Sequence, residues 1–282
     1  MPPAHARLDD GHTPQVDRSF RSTMLWKRAL FWGLMPLAAP QGLHLKRTAP
    51  RFAPAPGARE GWVGEGPTLR LLAVGDSVID GVGCPSIEQA LPGHVARQLA
   101  ARHGCGVHWQ AIGRTGACVG ELVEEVLPRI PVAPRDLVLV SVGVNDVSGL
   151  TRTAHFRDRL HRLLDGLQSR APGARVLLCG LPRMQHFPLL PQPLRYAAGV
   201  RAQTLDAIAA DVAIAREGVL HEPTTYVPRP DEFAPDGYHA NAATQGAWAR
   251  ILVERLAGRW TPGGLDGAGT LPGMSLRPRS PA

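Results

Sequence analysis

Hydrophobic and polar positions settle into a regular alternation only from residue 69 onward. Leu69-Arg70-Leu71-Leu72-Ala73-Val74 is a short, nearly continuous apolar run that stops at Gly75. A run of that length reads as a strand covered on both faces, as in a parallel sheet. Residues 107–112, 136–142 and 174–179 repeat the pattern, and 218–221 form a weaker fifth run. Helical spacing fills the intervals. Residues 86–103 place Ile87, Leu91, Val95 and Leu99 four apart, with Pro92 allowing a start at Leu91. Residues 119–127 make a short helix, and 153–170 put Phe156, Leu160, Leu163, Leu164 and Leu167 on one face. Residues 194–215 and 242–256 complete the set. Five such alternations predict a doubly wound α/β domain over residues 68–260, with a five-stranded parallel sheet and right-handed connections. In such a sheet the working loops lie beyond the C-terminal ends of the strands.

The ends of the chain follow other rules. Residues 1–23 are polar and aperiodic, and read as disordered or as sequence upstream of a start at Met24. Within residues 24–45, Lys27-Arg28 precedes an apolar segment that resembles a signal-peptide core or a membrane-surface anchor. It falls short of the ~20 residues that span a bilayer, and Pro36 and Pro40 interrupt it. Lys46, Arg47 and Arg51 make the second flank basic as well. Membrane-surface association or export through 24–45 is preferred over a helix packed on the domain; without it the chain would be cytoplasmic. Residues 48–67 form a Pro/Ala/Gly linker closing the N-terminal extension 1–67, and 261–282 read as a disordered tail.

Composition narrows the function classes. The formal charge of +7 does not mark a nucleic-acid binder, because the excess is partly terminal: residues 1–60 carry nine Arg/Lys against four Asp/Glu. Only Lys27 and Lys46 are lysine, and the arginine usage resembles coding bias. Neither an RGG array nor an interleaved aromatic stripe is present, so no nucleic-acid partner is expected. Cys84, Cys105, Cys118 and Cys179 lack zinc spacing and read as reduced thiols. Gly75 to Gly81 fits neither a dinucleotide fingerprint nor a P-loop. No metal or other cofactor is expected.

Glycine-flanked polar residues then stand where the strands end: Gly75-Asp76-Ser77, Gly113-Arg114-Thr115-Gly116, Gly143-Val144-Asn145-Asp146, and, before the last helix, Asp236-Gly237-Tyr238-His239. Ser77 is the candidate nucleophile, which needs a base to take its proton during attack. Asp236 and His239, three apart, can form the base and its orienting acid, fixing the tautomer so that the far ring nitrogen faces the serine. The Ser77 N–H, the Gly116 N–H and the Asn145 amide can serve a developing oxyanion, with Gly113 as an alternative to Gly116. Asp158 and His161 have the same spacing within an amphipathic helix and read as solvated, so position and not spacing singles out Asp236 and His239. Asp76 reads as an N-cap or loop brace, and Asp146 as a brace for the Asn145 loop.

These four blocks, in this order, resemble the SGNH (GDSL-type) serine hydrolases over roughly residues 69–256. The resemblance implies a flavodoxin-like three-layer α/β/α sandwich and a serine esterase or lipase without a metal. It makes Ser77 the nucleophile, His239 the base and Asp236 its orienter, with Ser77, Gly116 and Asn145 as the oxyanion hole. Val78 stands where leucine is usual and Ala240 where proline is common, and neither position carries a reacting group. In the Pro-rich segment after residue 181, Met184, Phe187, Leu189 and Leu190 are candidates for an acyl pocket, weighed evenly against packing on the sheet edge. The expected partner is a small acyl ester. An acyltransferase using the same acyl-enzyme, or a non-catalytic binding module on the same fold, are the alternatives.

Overall fold

The apolar runs become strands whose successive side chains alternate between two cores. A computed structural model describes residues 18–50 and 52–262; the polar residues 1–17 and most of the expected tail lie outside that range. The strands are β1 (Glu60–Val63), β2 (Thr68–Gly75), β3 (Gly106–Gly113), β4 (Leu137–Ser141), β5 (Arg175–Cys179) and β6 (Val219–Glu222), in sheet order β1-β3-β2-β4-β5-β6. The helices are α1 (Arg18–Thr48), α2 (Leu91–His103), α3 (Val119–Glu121), α4 (Val144–Ser148), α5 (Thr153–Arg170), α6 (Leu194–Ile214) and α7 (Ala242–Ala257).

Leu72, Val74, Val138, Val140, Val176 and Leu178 face one side of the sheet, against α3, α5 and α6. Leu71, Ala73, Leu137, Leu139, Leu177 and Cys179 face the other, against α2 and α7. This double covering is why the runs carry almost no polar residue. Phe156, fully buried on the α5 side, adds about 1.5–3 kcal/mol by burial alone. The layers form the expected three-layer α/β/α sandwich.

Two expectations change. The sheet has six strands, because β1 lies in the stretch read as linker and pairs antiparallel with β3, while β2 through β6 are all parallel. Four residues that include Gly61 and are only alternately half-buried leave no apolar run to read. The segment expected to be interrupted at Pro36 and Pro40 is instead part of a continuous 31-residue helix. Each proline removes one backbone hydrogen bond, and packing of Phe31 and Ala38 on Ala197 and Val200 of α6 supports the helix across both.

Register positions the functional loops. Gly75 pairs with Gly113 on one side and with Ser141 on the other, so the loops after β2, β3 and β4 leave the sheet at one level.

Candidate active site

The turn after β2 is shaped by a close approach. A Cβ on Gly75 would lie 2.1 Å from the Ser141 carbonyl oxygen, so glycine is the residue that fits beside β4. The Asp76 N–H donates to that same oxygen (3.1 Å), and the Ile79 and Asp80 N–H groups both donate to the Asp76 carbonyl (3.1 Å each). The chain therefore leaves β2 through a series of turns and not through a helix N-terminus. The Asp76 carboxylate accepts from the Val78 N–H at 3.3 Å, which makes it a brace of this turn. Burial pushes its pKa up to about 7, against the lowering effects of the Val78 N–H and His239, and the nearby Asp146 adds to the rise.

Ser77 sits on this turn with its Oγ 3.0 Å from Nε2 of His239. Nδ1 of the same ring is 2.5 Å from Oδ2 of Asp236. Oδ1 of Asp236 accepts from the Tyr238 N–H and the His239 N–H, both at 2.9 Å. Burial would raise the pKa of Asp236, but the bonds from the His239 ring and these two N–H groups outweigh it, and the net shift is downward. The turn is closed by a bridge between Phe233 and Ala240 and by donation from the Ala234 N–H to the His239 carbonyl (2.7 Å). Asn241 caps α7 directly afterwards by accepting from the Thr244 N–H at 3.0 Å. A firm helix start thus fixes the imidazole from one side. At the control pair, Asp158 instead bridges Arg162, and the ring of His161 meets Arg216.

Asn145 is tied to the residue that follows Gly116. The Asn145 amide donates to the Ala117 carbonyl at 3.0 Å, leaving its second hydrogen free for another acceptor. Asp146 accepts from the Val119 N–H at 3.0 Å, which braces the Asn145 loop as read from sequence, and burial raises its pKa to about 6. Asp80, which sequence reading did not single out, ties this assembly to the turn carrying Ser77. Its carboxylate accepts from the Thr115 N–H (2.8 Å) and the Thr115 hydroxyl (2.7 Å). The two candidate glycines differ in their surroundings. A Cβ on Gly113 would press on Asp80 at 2.7 Å, whereas Gly116, at φ +80°, faces open space.

A cavity of about 90 Å³ opens at Ser77 and His239. Leu181, Phe187, Tyr226, Phe233, Tyr238 and Trp248 supply its large walls. Of the four pocket residues expected from sequence, only Phe187 lines it. Met184 and Leu190 turn into the core below α6, and Leu189 spends its N–H on the Gly237 carbonyl (3.0 Å). That bond holds the 181–190 segment against the turn carrying Asp236 and His239. Trp248 is half-buried and reaches the cavity from α7. All four cysteines are free thiols.

The profile of the GDSL-like Lipase/Acylhydrolase family matches residues 73–247. The chain belongs to this family. Within it, the chain is 27% identical over 246 residues to the GDSL-like esterase Rv1075c of Mycobacterium tuberculosis, covering 80% of this chain and 77% of that protein. The fold is shared with a lipase/acylhydrolase from Enterococcus faecalis (TM-score 0.51, 22% identity, 69% of this chain and 98% of the other). It is also shared with a family 3 carbohydrate esterase from Clostridium thermocellum (TM-score 0.52, 15% identity, 67% and 99%). The chain is accordingly a GDSL-type hydrolase with an α/β/α domain.

Proposed function

We propose that this GDSL-type hydrolase cleaves carboxylic esters of short acyl chains through an acyl-enzyme on Ser77. The reading rests on one observation above all: the unbroken series from Ser77 Oγ to His239 Nε2 (3.0 Å) and from His239 Nδ1 to Asp236 (2.5 Å). His239 takes the Ser77 proton as Oγ bonds to the ester carbonyl carbon, and Asp236 stabilises the imidazolium that results. The carbonyl oxygen gains the negative charge, for which the Ser77 N–H, the Gly116 N–H and the free hydrogen of the Asn145 amide are the donors. Collapse expels the alcohol, which receives its proton from His239. Water, deprotonated by the same ring, then releases the acid and restores Ser77.

Cavity size supports the acyl preference. The cavity at Ser77 holds only about 90 Å³ between walls that include Phe187, Phe233 and Trp248, which favours a short acyl chain over a long one. The test is Ser77→Ala assayed on p-nitrophenyl butanoate. Turnover should vanish while the thermal unfolding curve stays in place; full activity in that variant rules the mechanism out.

A further inference from the structure

Helix α1 is apolar on two sides, and only one of them is covered. Phe31 and Ala38 pack inward on α6. Outward, Trp26, Trp32, Leu37 and Leu43 are 67, 60, 67 and 52% exposed. Ala29, Gly33, Pro36 and Pro40 occupy the exposed positions between them. At about 100° per residue these positions share one sector, and from Trp26 to Leu43 they make a stripe about 25 Å long. No charged residue occurs between 29 and 45.

The charge at the two ends of this stripe has a single sign. Arg18 and Arg21 precede it in sequence, Lys27 and Arg28 come directly after its first residue, Lys46 and Arg47 follow it, and no Asp or Glu occurs between residues 18 and 59. A cavity of about 470 Å³ also opens beside Trp32, between α1 and the start of α5, and is lined in part by Leu150, Arg152 and Arg201. Arg201 is 9% exposed, its guanidinium lies 5.2 Å over the Phe31 ring, and its Nε has no partner among the described residues. Arg152 and Arg201 both line this cavity, a basic setting that suits an anionic headgroup, although the Arg201 guanidinium also donates to the Thr151 carbonyl. No helix among the described residues is long and apolar enough to cross a membrane.

We infer that α1 docks lengthwise on an anionic lipid surface, its Trp and Leu side chains at the acyl boundary and its basic ends on the headgroups. A second copy of the chain is the poorer occupant, because it would bring like charges together with no acidic residue on the helix to meet them. Gln41 donates to the Gln192 carbonyl (2.7 Å) and accepts from the Leu194 N–H (3.1 Å), which anchors α1 to the start of α6. The docking does not depend on the proposed esterase site.

Flotation of the full chain with vesicles tests the proposal, using phosphatidylcholine mixed with phosphatidylglycerol and phosphatidylcholine alone. The mixed vesicles should carry on the order of tenfold more protein. Trp32→Glu combined with Leu37→Glu, both on the exposed face, should lower that binding by on the order of tenfold or more. Hydrolysis of soluble p-nitrophenyl butanoate should be unchanged, which separates loss of docking from loss of fold or of chemistry. Absence of flotation with the mixed vesicles, or equal flotation of the variant, overturns the proposal. So does a dimer in sedimentation that the variant splits while the wild type ignores vesicles, since the face would then join two copies.

Discussion

Asp236→Asn separates the orienting role of this carboxylate from its structural one. Oδ1 of Asp236 accepts two backbone N–H groups at 2.9 Å, so in the variant this position must remain the carbonyl oxygen. The new NH₂ group is thereby forced toward Nδ1 of His239, which sits 2.5 Å from Oδ2 in the wild type. Nδ1 must then accept and give up its hydrogen, and the ring proton moves to Nε2. From there it points at Ser77 Oγ, 3.0 Å away, and the ring can no longer take the serine proton. The expected loss in kcat on p-nitrophenyl butanoate is about 10⁴-fold, the size seen for this exchange in serine-protease triads, or ~5.5 kcal/mol of barrier. Stability should change little, because both backbone bonds survive. Asp236→Ala makes the contrast: no wrong tautomer is imposed, so activity falls less, but two N–H groups lose their acceptor at a cost of about 1–3 kcal/mol each. Paired kcat and thermal-unfolding measurements on the two variants decide the matter. An Asn variant within tenfold of wild type, or one as unstable as the Ala variant, would refute the reasoning.

Three further outcomes are expected. Trp248→Ala enlarges the cavity at Ser77 and should move the kcat/KM preference from butanoate toward octanoate p-nitrophenyl esters; an unchanged ratio would detach Trp248 from acyl selection. Phe156→Ala empties a fully buried site between α5 and the sheet and should cost about 3–5 kcal/mol in urea unfolding, with a loss under 1 kcal/mol counting against this packing. Asp76 has a folded-state pKa of about 7 against an ordinary 3.8, so the native state holds its proton more tightly than the unfolded chain. Its contribution to stability is therefore full below pH 4 and lost as pH rises to about 7. Denaturation of the wild type and Asp76→Asn across that range should show the wild type losing ground to the variant as pH rises, and parallel curves would contradict the assignment.

Much of this arrangement was legible in the residues, for identifiable reasons. Helix α5 matches residues 153–170 because five large apolar side chains mark one face of it without interruption. Ser77, Asn145 and His239 stood out because each follows a glycine that breaks an apolar run or a Pro-rich loop. Strand β1 was not legible, since its pairing with β3 comes from backbone hydrogen bonds at a half-exposed edge and not from an apolar pattern. Nor was the cavity. Tyr226 and Phe233 come from a loop, and Trp248 looks like any apolar position of α7 until α7 is set against the strand ends. Asp80 escaped notice because its work is done on Thr115, a partner 35 residues away.

A fluorophosphonate probe gives the most direct test of a Ser77 hydroxyl activated by His239. The intact protein should gain one phosphonyl adduct, mapped by tandem mass spectrometry to the peptide carrying Ser77, and His239→Ala should slow its formation by several orders of magnitude. A wild-type chain that stays unlabelled, or one labelled elsewhere with Ser77 untouched, would contradict the account.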